Sequence, residues 1–369
     1  MKVLVAPLDW GLGHATRCVP VVKEFMRQGA EVELAVVKAN ADFFREVFPS
    51  LRQRVAPGYN IVYPKHGFNM ALWLLKNSGH LNSVMRYEHR YAEEMVERHG
   101  YDVLFSDNRF AFYSRRAYSI YMTHQRRIAF PQALSVFEGI GIRWHHSLMK
   151  KFDEVWVPDD EKEPGYAGTL SHVELASMPV RFVGPLSRFS EVSGDSVTCR
   201  ATGRKKRYKV VAVVSGVEPA RSQFEKKLRN LLAAIPGNHL VILGKPQLGC
   251  SSWTEGNVEF CNHLPTEQFA TAIGDAEWVV SRGGYSTVMD MAYLGAKCVF
   301  VPTPGQYEQV NLARHLASSG YAVEIPFAQL SAETLLEAFK HDVELPKPSS
   351  QTLLHDAVKD IMCRRVSRV

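Results

Sequence analysis

Short, nearly continuous apolar runs recur along the chain, each followed by a stretch whose apolar positions repeat at helical spacing. Runs of this kind are what strands buried on both faces of a parallel sheet look like, and the intervening stretches supply the crossover helices. In the first half the runs fall at residues 2–8, 30–37, 101–107, 126–131, 153–158 and 181–185. Helices are predicted from near His14 to the stop at Gly29, around residues 42–47, and through the long proline-free stretch 66–99. Within the last of these, residues 70–75 form an apolar face that reads either as core or as a patch meeting a lipid or a partner.

Residues 187–207 turn polar and rich in Ser, Arg, Gly and Lys, as a linker does. The alternation then resumes, with runs at 208–216, 239–244, 257–260, 276–281, 297–301 and 321–325, and ends in a helical stretch near 349–365. Two consecutive series of strand and helix predict an α/β chain of two doubly wound, Rossmann-like parallel-sheet domains facing a cleft. Their expected bounds are 1–186 and 208–348, with 187–207 between them and 349–369 as a closing helix that crosses back to the first domain. A chain of 369 residues suits two such domains.

Composition narrows this picture only modestly. Apolar content of 46% and charged content of 22% are those of a globular chain, and the net charge of +6 suits phosphate-bearing ligands or an anionic membrane surface. The basic run at 204–209 comes with no recognition motif, which argues against nucleic acid. The six cysteines are scattered, without metal-ligand spacing, so a reducing setting without structural zinc is expected, in the cytoplasm or at the inner face of a membrane.

Three stretches carry candidate chemistry. SerArgGlyGlyTyrSerThr (281–287) lies between a predicted strand and a helix, the arrangement that offers backbone N–H groups and a positive helix end to a phosphate. An ordinary tight turn reads the same way. The next strand runs into GlyGlnTyrGluGlnValAsnLeuAla (305–313), where Glu308 and Gln309 could hydrogen-bond hydroxyls beyond a strand end. Near the amino terminus, GlyLeuGlyHisAlaThrArg (11–17) places His14 at a helix start, where the neutral, proton-accepting ring is favoured. A histidine serving only the helix end is the plain alternative. The stretch lacks the third glycine of a dinucleotide fingerprint.

Across roughly residues 208–325 the paired motifs resemble the carboxy-terminal domain of nucleotide-sugar glycosyltransferases of the GT-B fold, family 28 type, especially the branch of the bacterial peptidoglycan N-acetylglucosaminyltransferase. Arg282, where other branches place histidine, points to that branch. The resemblance implies a donor diphosphate held by Gly283, Gly284, Tyr285, Ser286 and Thr287, with Arg282 beside it. Ser215 and Gly216 would touch the phosphates, with Arg221 as a charge partner, in a loop poorer in glycine than the family's. Glu308 and Gln309 would bind ribose or sugar, and uracil would lie near Leu264. The loop with Gly13 and His14 resembles the same enzymes' amino-terminal glycine and histidine loop, which implies that Gly13 also touches the donor.

Sugar transfer then implies His14 as base or acceptor-positioning group, oriented by Asp107, which could equally cap a helix. A nucleotide sugar, UDP-linked, is the expected donor and no metal or other cofactor is demanded. The acceptor, whether glycan, lipid-linked or small molecule, is open, as is a peripheral membrane contact. A nucleotide-sugar hydrolase, a non-hydrolysing epimerase and a non-catalytic nucleotide-sugar sensor are the rival readings.

Overall fold

The computed structural model describes residues 1–9, 11–59, 78–127, 138–173, 178–191, 206–348 and 352–364. They fall into two compact units. One comprises the described residues up to Ser187 together with the closing helix; the other runs from Arg188 to Pro348.

The first unit is built on a seven-stranded sheet of β1 (Lys2–Pro7), β2 (Glu31–Val36), β3 (Gln53–Val55), β4 (Val103–Asp107), β5 (Tyr118–Met122), β6 (Glu154–Val157) and β7 (Val180–Phe182). Every pairing is parallel and the order is β3-β2-β1-β4-β5-β6-β7. The chain therefore works outward from β1 in one direction, then returns to place β4 on the other side of it. Val3, Leu4, Val5 and Ala6 are all buried, which is why this strand reads as an unbroken apolar run. Helix Leu12–Arg27 covers one face, where Phe25 stacks on Trp156 and Phe105 meets both edge-on. Truncating one of these rings to alanine removes roughly 3–5 kcal/mol of packing.

Helix Thr352–Cys363 belongs to this first unit. Leu354, Ala357, Val358 and Ile361 enter the same core as helix Leu12–Arg27. Polar contacts fasten its flank: His355 Nδ1 lies 2.9 Å from Glu24 Oε1, and Arg181 Nη1 donates to Asp360 at 2.7 Å.

The second unit repeats the plan with β8 (Tyr208–Val213), β9 (His239–Ile242), β10 (Ser252–Glu255), β11 (Val258–Cys261), β12 (Ala276–Ser281), β13 (Cys298–Phe300) and β14 (Val323–Glu324), ordered β10-β11-β9-β8-β12-β13-β14. Only β10 is antiparallel. Phe224, Leu228 and Leu232 of helix Ala220–Ala233 pack on one face with Trp278 and Val280.

Several elements depart from the sequence pattern. The strand next to β4 is Tyr118–Met122, and residues 126–127 of the expected run 126–131 lie outside any strand; 128–131 lie outside the described residues. β3 and β10 were not predicted; β10 is exposed throughout, and Trp253 is its only large apolar residue, so no apolar run marks it. Residues 188–191 pack with the second unit instead of serving as linker, Arg188 lying 4.8 Å above the Phe189 ring and 5.0 Å from that of Phe269. The rest of the expected linker up to 205, and the apolar face 70–75, lie outside the described residues.

Candidate functional site

In a doubly wound sheet, a crevice opens at the carboxyl ends of the strands where the chain reverses direction across the sheet. The first unit reverses between β1 and β4. Pro7 is in register with Asp107, Asp107 with Met122, and Met122 with Trp156, so these strands end along one line. Helix Leu12–Arg27 begins just past the end of β1 and carries His14 in its first turn, and Asp107 is the last residue of β4. Gly11 precedes the helix with φ 95°, a left-handed value that suits glycine.

His14 and Asp107 meet there. Nδ1 of the imidazole is 3.0 Å from Oδ2 of the carboxylate, which is fully buried, while the histidine side chain is 15% exposed. Arg17, one turn further along the same helix, grips that carboxylate with a fork: Nε donates to both oxygens at 2.9 Å and Nη2 to Oδ1. Nη2 is also 2.9 Å from His14 Nδ1, and Nη1 is 2.8 Å from Nδ1 of buried His124, just past β5.

Burial and then the Arg17 guanidinium hold His14 below its ordinary pKa, against the pull of Asp107. For Asp107, burial alone would raise the pKa, but Arg17 and His14 overcome it and keep the carboxyl below its usual range. The pair therefore rests as a neutral imidazole beside an ionised carboxylate. Asp107 serves the histidine and the arginine, not a helix cap. Neither Arg17 nor His124 was assigned a role from sequence. Arg17 stood in the glycine and histidine motif, but its partner lies 90 residues away, and His124 has no local signal at all.

The second unit reverses between β8 and β12. Cys261, Ile242, Val213, Ser281, Phe300 and Glu324 form one continuous register line across six strands. Every donor-binding residue anticipated in this half of the chain lies just beyond it, whereas Gly13, also anticipated to touch the donor, lies in helix Leu12–Arg27 of the first unit. Ser215 and Gly216 follow β8, Leu264 follows β11, residues 282–287 follow β12, and Glu308 and Gln309 lie in the first turn of helix Tyr307–Ser318 after β13.

Gly283 and Gly284 carry the chain from β12 into helix Tyr285–Leu294. A Cβ on Gly283 would come to 3.5–3.6 Å from Gln309 O, Ala313 and Phe300, ordinary contact against the neighbouring helix. One on Gly284 would find only Thr287 Oγ1, at 4.0 Å, so the space before the helix start is open. Ser286 and Thr287 are half-buried at the helix start, whereas the Tyr285 side chain is buried, which leaves its backbone as the group it can present. Ser281 Oγ, at the end of β12, is buried without a hydrogen-bond partner.

Three side chains depart from their anticipated roles. Arg282 is 1% exposed and points into the fold: Nη1 donates to the carbonyls of Val301 (3.0 Å) and Pro302 (3.1 Å), Nη2 to that of Ala220 (3.2 Å). Its guanidinium lies 4.1 Å from the Phe224 ring centroid, and burial pushes its pKa down to about 10. It ties together the loops on either side of the glycine turn and is not a surface contact for a ligand. Arg221 is engaged by Glu218 at 2.5 Å and Glu225 at 3.3 Å, which neutralise it as a charge partner. Gln309 spends its amide on its own loop, accepting from Thr303 N at 2.9 Å and donating to Gln306 at 2.5 Å. Glu308 stays half-buried at the helix start.

Among the described residues, no group of three or more His, Cys, Asp or Glu gathers as a metal ion would need, and no helix is long and apolar enough to cross a membrane.

Comparison with known proteins bears on the fold and the family. Residues 247–361 match the glycosyltransferase family 28 C-terminal domain. An uncharacterized glycosyltransferase of Methanosarcina acetivorans is 23% identical over 341 residues, covering 89% of this chain and 84% of the relative. The UDP-N-acetylglucosamine--N-acetylmuramyl-(pentapeptide) pyrophosphoryl-undecaprenol N-acetylglucosamine transferase of Pasteurella multocida is 31% identical over 172 residues, 45% of each chain. Among solved structures, the spinosyn rhamnosyltransferase SpnG complexed with thymidine diphosphate superposes with a TM-score of 0.61 at 16% identity, covering 98% of this chain and 95% of that one.

Proposed function

Because the chain is a GT-B glycosyltransferase of the family 28 type, we propose that it moves a hexose-type sugar from a nucleotide diphosphate, UDP in our reading, to the hydroxyl of an acceptor. The observation that carries the donor assignment is the register line of the second sheet. It sets the Ser215–Gly216 loop and the Gly283–Gly284 turn side by side at the point where the sheet reverses. An anion there meets backbone N–H groups and the positive end of helix Tyr285–Leu294, with the Ser286 and Thr287 hydroxyls at hand.

The diphosphate is the leaving group, and fixed dipoles aimed at it lower the barrier most as its charge grows. No metal is required in this reading. Glu308 is the hydroxyl-binding group for ribose or sugar, and Gln309 shapes the loop that presents it. UDP is favoured over other nucleotides by the 31% identity shared with the Pasteurella transferase, whose name specifies a UDP-sugar.

His14 is the base. With Nδ1 directed at Asp107, the opposite nitrogen, Nε2, is the one left to take the proton of an acceptor hydroxyl. The same reading has a reducing, cytoplasmic setting, in keeping with six cysteines scattered without paired spacing.

The test is calorimetric titration of UDP, GDP and dTDP into the whole chain and into Gly284→Trp. UDP-selective binding that is lost in the variant supports the assignment. Absence of nucleotide binding in the unmodified chain overturns it, and preference for dTDP or GDP overturns the choice of base. Rapid release of free diphosphate without an acceptor would show that water is the acceptor.

A further inference from the structure

Neither the base nor the donor cradle accounts for Arg17, which is 2% exposed and contacts three other polar side chains of the first unit. A buried carboxylate such as Asp107 requires a positive neighbour, because an isolated charge is costly to keep away from water. Two groups within reach can supply it, the guanidinium of Arg17 and a protonated His14. They have opposite consequences for catalysis, since a histidine that is already protonated cannot act as a base.

We propose that Arg17 is a positioning residue for His14: it is the resting counter-ion of Asp107, and by claiming that carboxylate it keeps the imidazole neutral and able to accept a proton. This rests on the assignment of His14 as base. The geometry argues for it directly. Arg17 places its fork on Asp107, with Nε at 2.9 Å from each oxygen and Nη2 on Oδ1, the bidentate arrangement that satisfies a carboxylate most completely. Nη1 donates to Nδ1 of His124 at 2.8 Å, and Nη2 lies 2.9 Å from Nδ1 of His14, a close approach to the nitrogen whose proton is given to Asp107. A guanidinium only donates, so Nδ1 of His124 accepts, and that ring is neutral with its proton on Nε2.

The groups around His14 come from several elements. Its own helix contributes Arg17 and Cys18, the end of β4 contributes Asp107, and beyond β5 stands His124, with Tyr121 of β5 turning its hydroxyl to Asn108 and His145. Burial pushes the Cys18 thiol and the Tyr121 phenol up, so both stay uncharged. Among the described residues at this point, one positive and one negative charge remain, and they are on each other. A proton arriving on His14 makes the cluster net positive with the guanidinium alongside, which favours passing that proton on.

The experiment is a pH titration of the histidine ring nitrogens and carbons by NMR on the whole labelled chain, for the unmodified protein, Arg17→Gln, Arg17→Lys, Asp107→Asn and the double variant Arg17→Gln/Asp107→Asn. Arg17→Gln should raise the His14 midpoint by at least about one pH unit, the size of shift that an opposite charge at this distance produces once uncompensated. Arg17→Lys should bring most of it back, and the double variant should return the midpoint to the original value or below. A folded Arg17→Gln with an unmoved midpoint overturns the proposal. If Arg17→Gln does not fold, Asp107→Asn asks the same question from the other side: it leaves the guanidinium beside the ring without its carboxylate, so the midpoint must fall, and a rise or no change overturns the proposal. Failure of the base assignment would look different, as sugar transfer undiminished in His14→Ala whatever the titrations show.

Discussion

At the reversal point of the first sheet, four side chains that carry charge or exchange protons meet within hydrogen-bond distance: His14, Arg17, Asp107 and His124. At the corresponding point of the second sheet stand glycines, hydroxyls and a helix end, and the nearby arginines are turned elsewhere, Arg282 onto backbone carbonyls and Arg221 onto Glu218. On the proposed reading, one topology thus serves two kinds of chemistry. Moving a proton needs groups whose pKa values are set by neighbours, and these must be buried and mutually paired. Holding a diphosphate needs dipoles in fixed places, and bulk or paired charge in the cradle would only crowd it.

Four predictions bear on that contrast, in decreasing order of effect. His14→Ala should cut transfer by about 10²–10⁴-fold, the usual contribution of a general base, while calorimetric nucleotide affinity stays unchanged. Loss of both together would mean the division of labour is wrong. Gly284→Trp should do the reverse, weakening nucleotide binding by roughly 100-fold or more through occupation of the space before the helix. Its thermal midpoint should hardly move, since nothing but Thr287 Oγ1 lies near the added Cβ.

Arg282→Met should act through stability. It leaves the buried carbonyls of Val301, Pro302 and Ala220 short of a donor, at a cost of about 2–4 kcal/mol read by urea unfolding of the second unit. If it instead abolished UDP binding in a fully folded protein, the guanidinium would be part of the cradle after all. The smallest effect expected is from Glu308→Gln, roughly a 3- to 10-fold loss of donor affinity for one hydrogen bond.

pH sharpens the contrast further. His14 is held below its ordinary value, so the base-competent ring persists at pH values where an unperturbed histidine would already be charged. The acid limb of kcat/KM should therefore fall below about pH 6.5. Nucleotide binding by backbone dipoles should show no inflection of its own there.

The parallel sheets were legible because buried strands such as β1, β8 and β12 are apolar almost throughout. Tyr118–Met122 escaped because its buried core is flanked by tyrosines and a serine that hydrogen-bonds back to its own turn, so no run stands out. The glycine turn, Glu308 and the His14–Asp107 pair could be anticipated because strand ends gather by topology alone. The direction in which Arg282 and Gln309 point could not, since each is decided by carbonyls and amides brought close only by the fold. Arg17 was hidden for the same reason: its meaning is a carboxylate from another strand.

The closing helix has a consequence for biogenesis. Leu354, Ala357, Val358 and Ile361 are part of the first unit's core, yet the ribosome makes them only after the whole of Arg188–Pro348. Domains ordinarily fold in the order in which they are synthesised. Here the second unit can complete itself first, while the sheet bearing His14 waits, with the face of helix Leu12–Arg27 uncovered, for the last residues of its core to emerge.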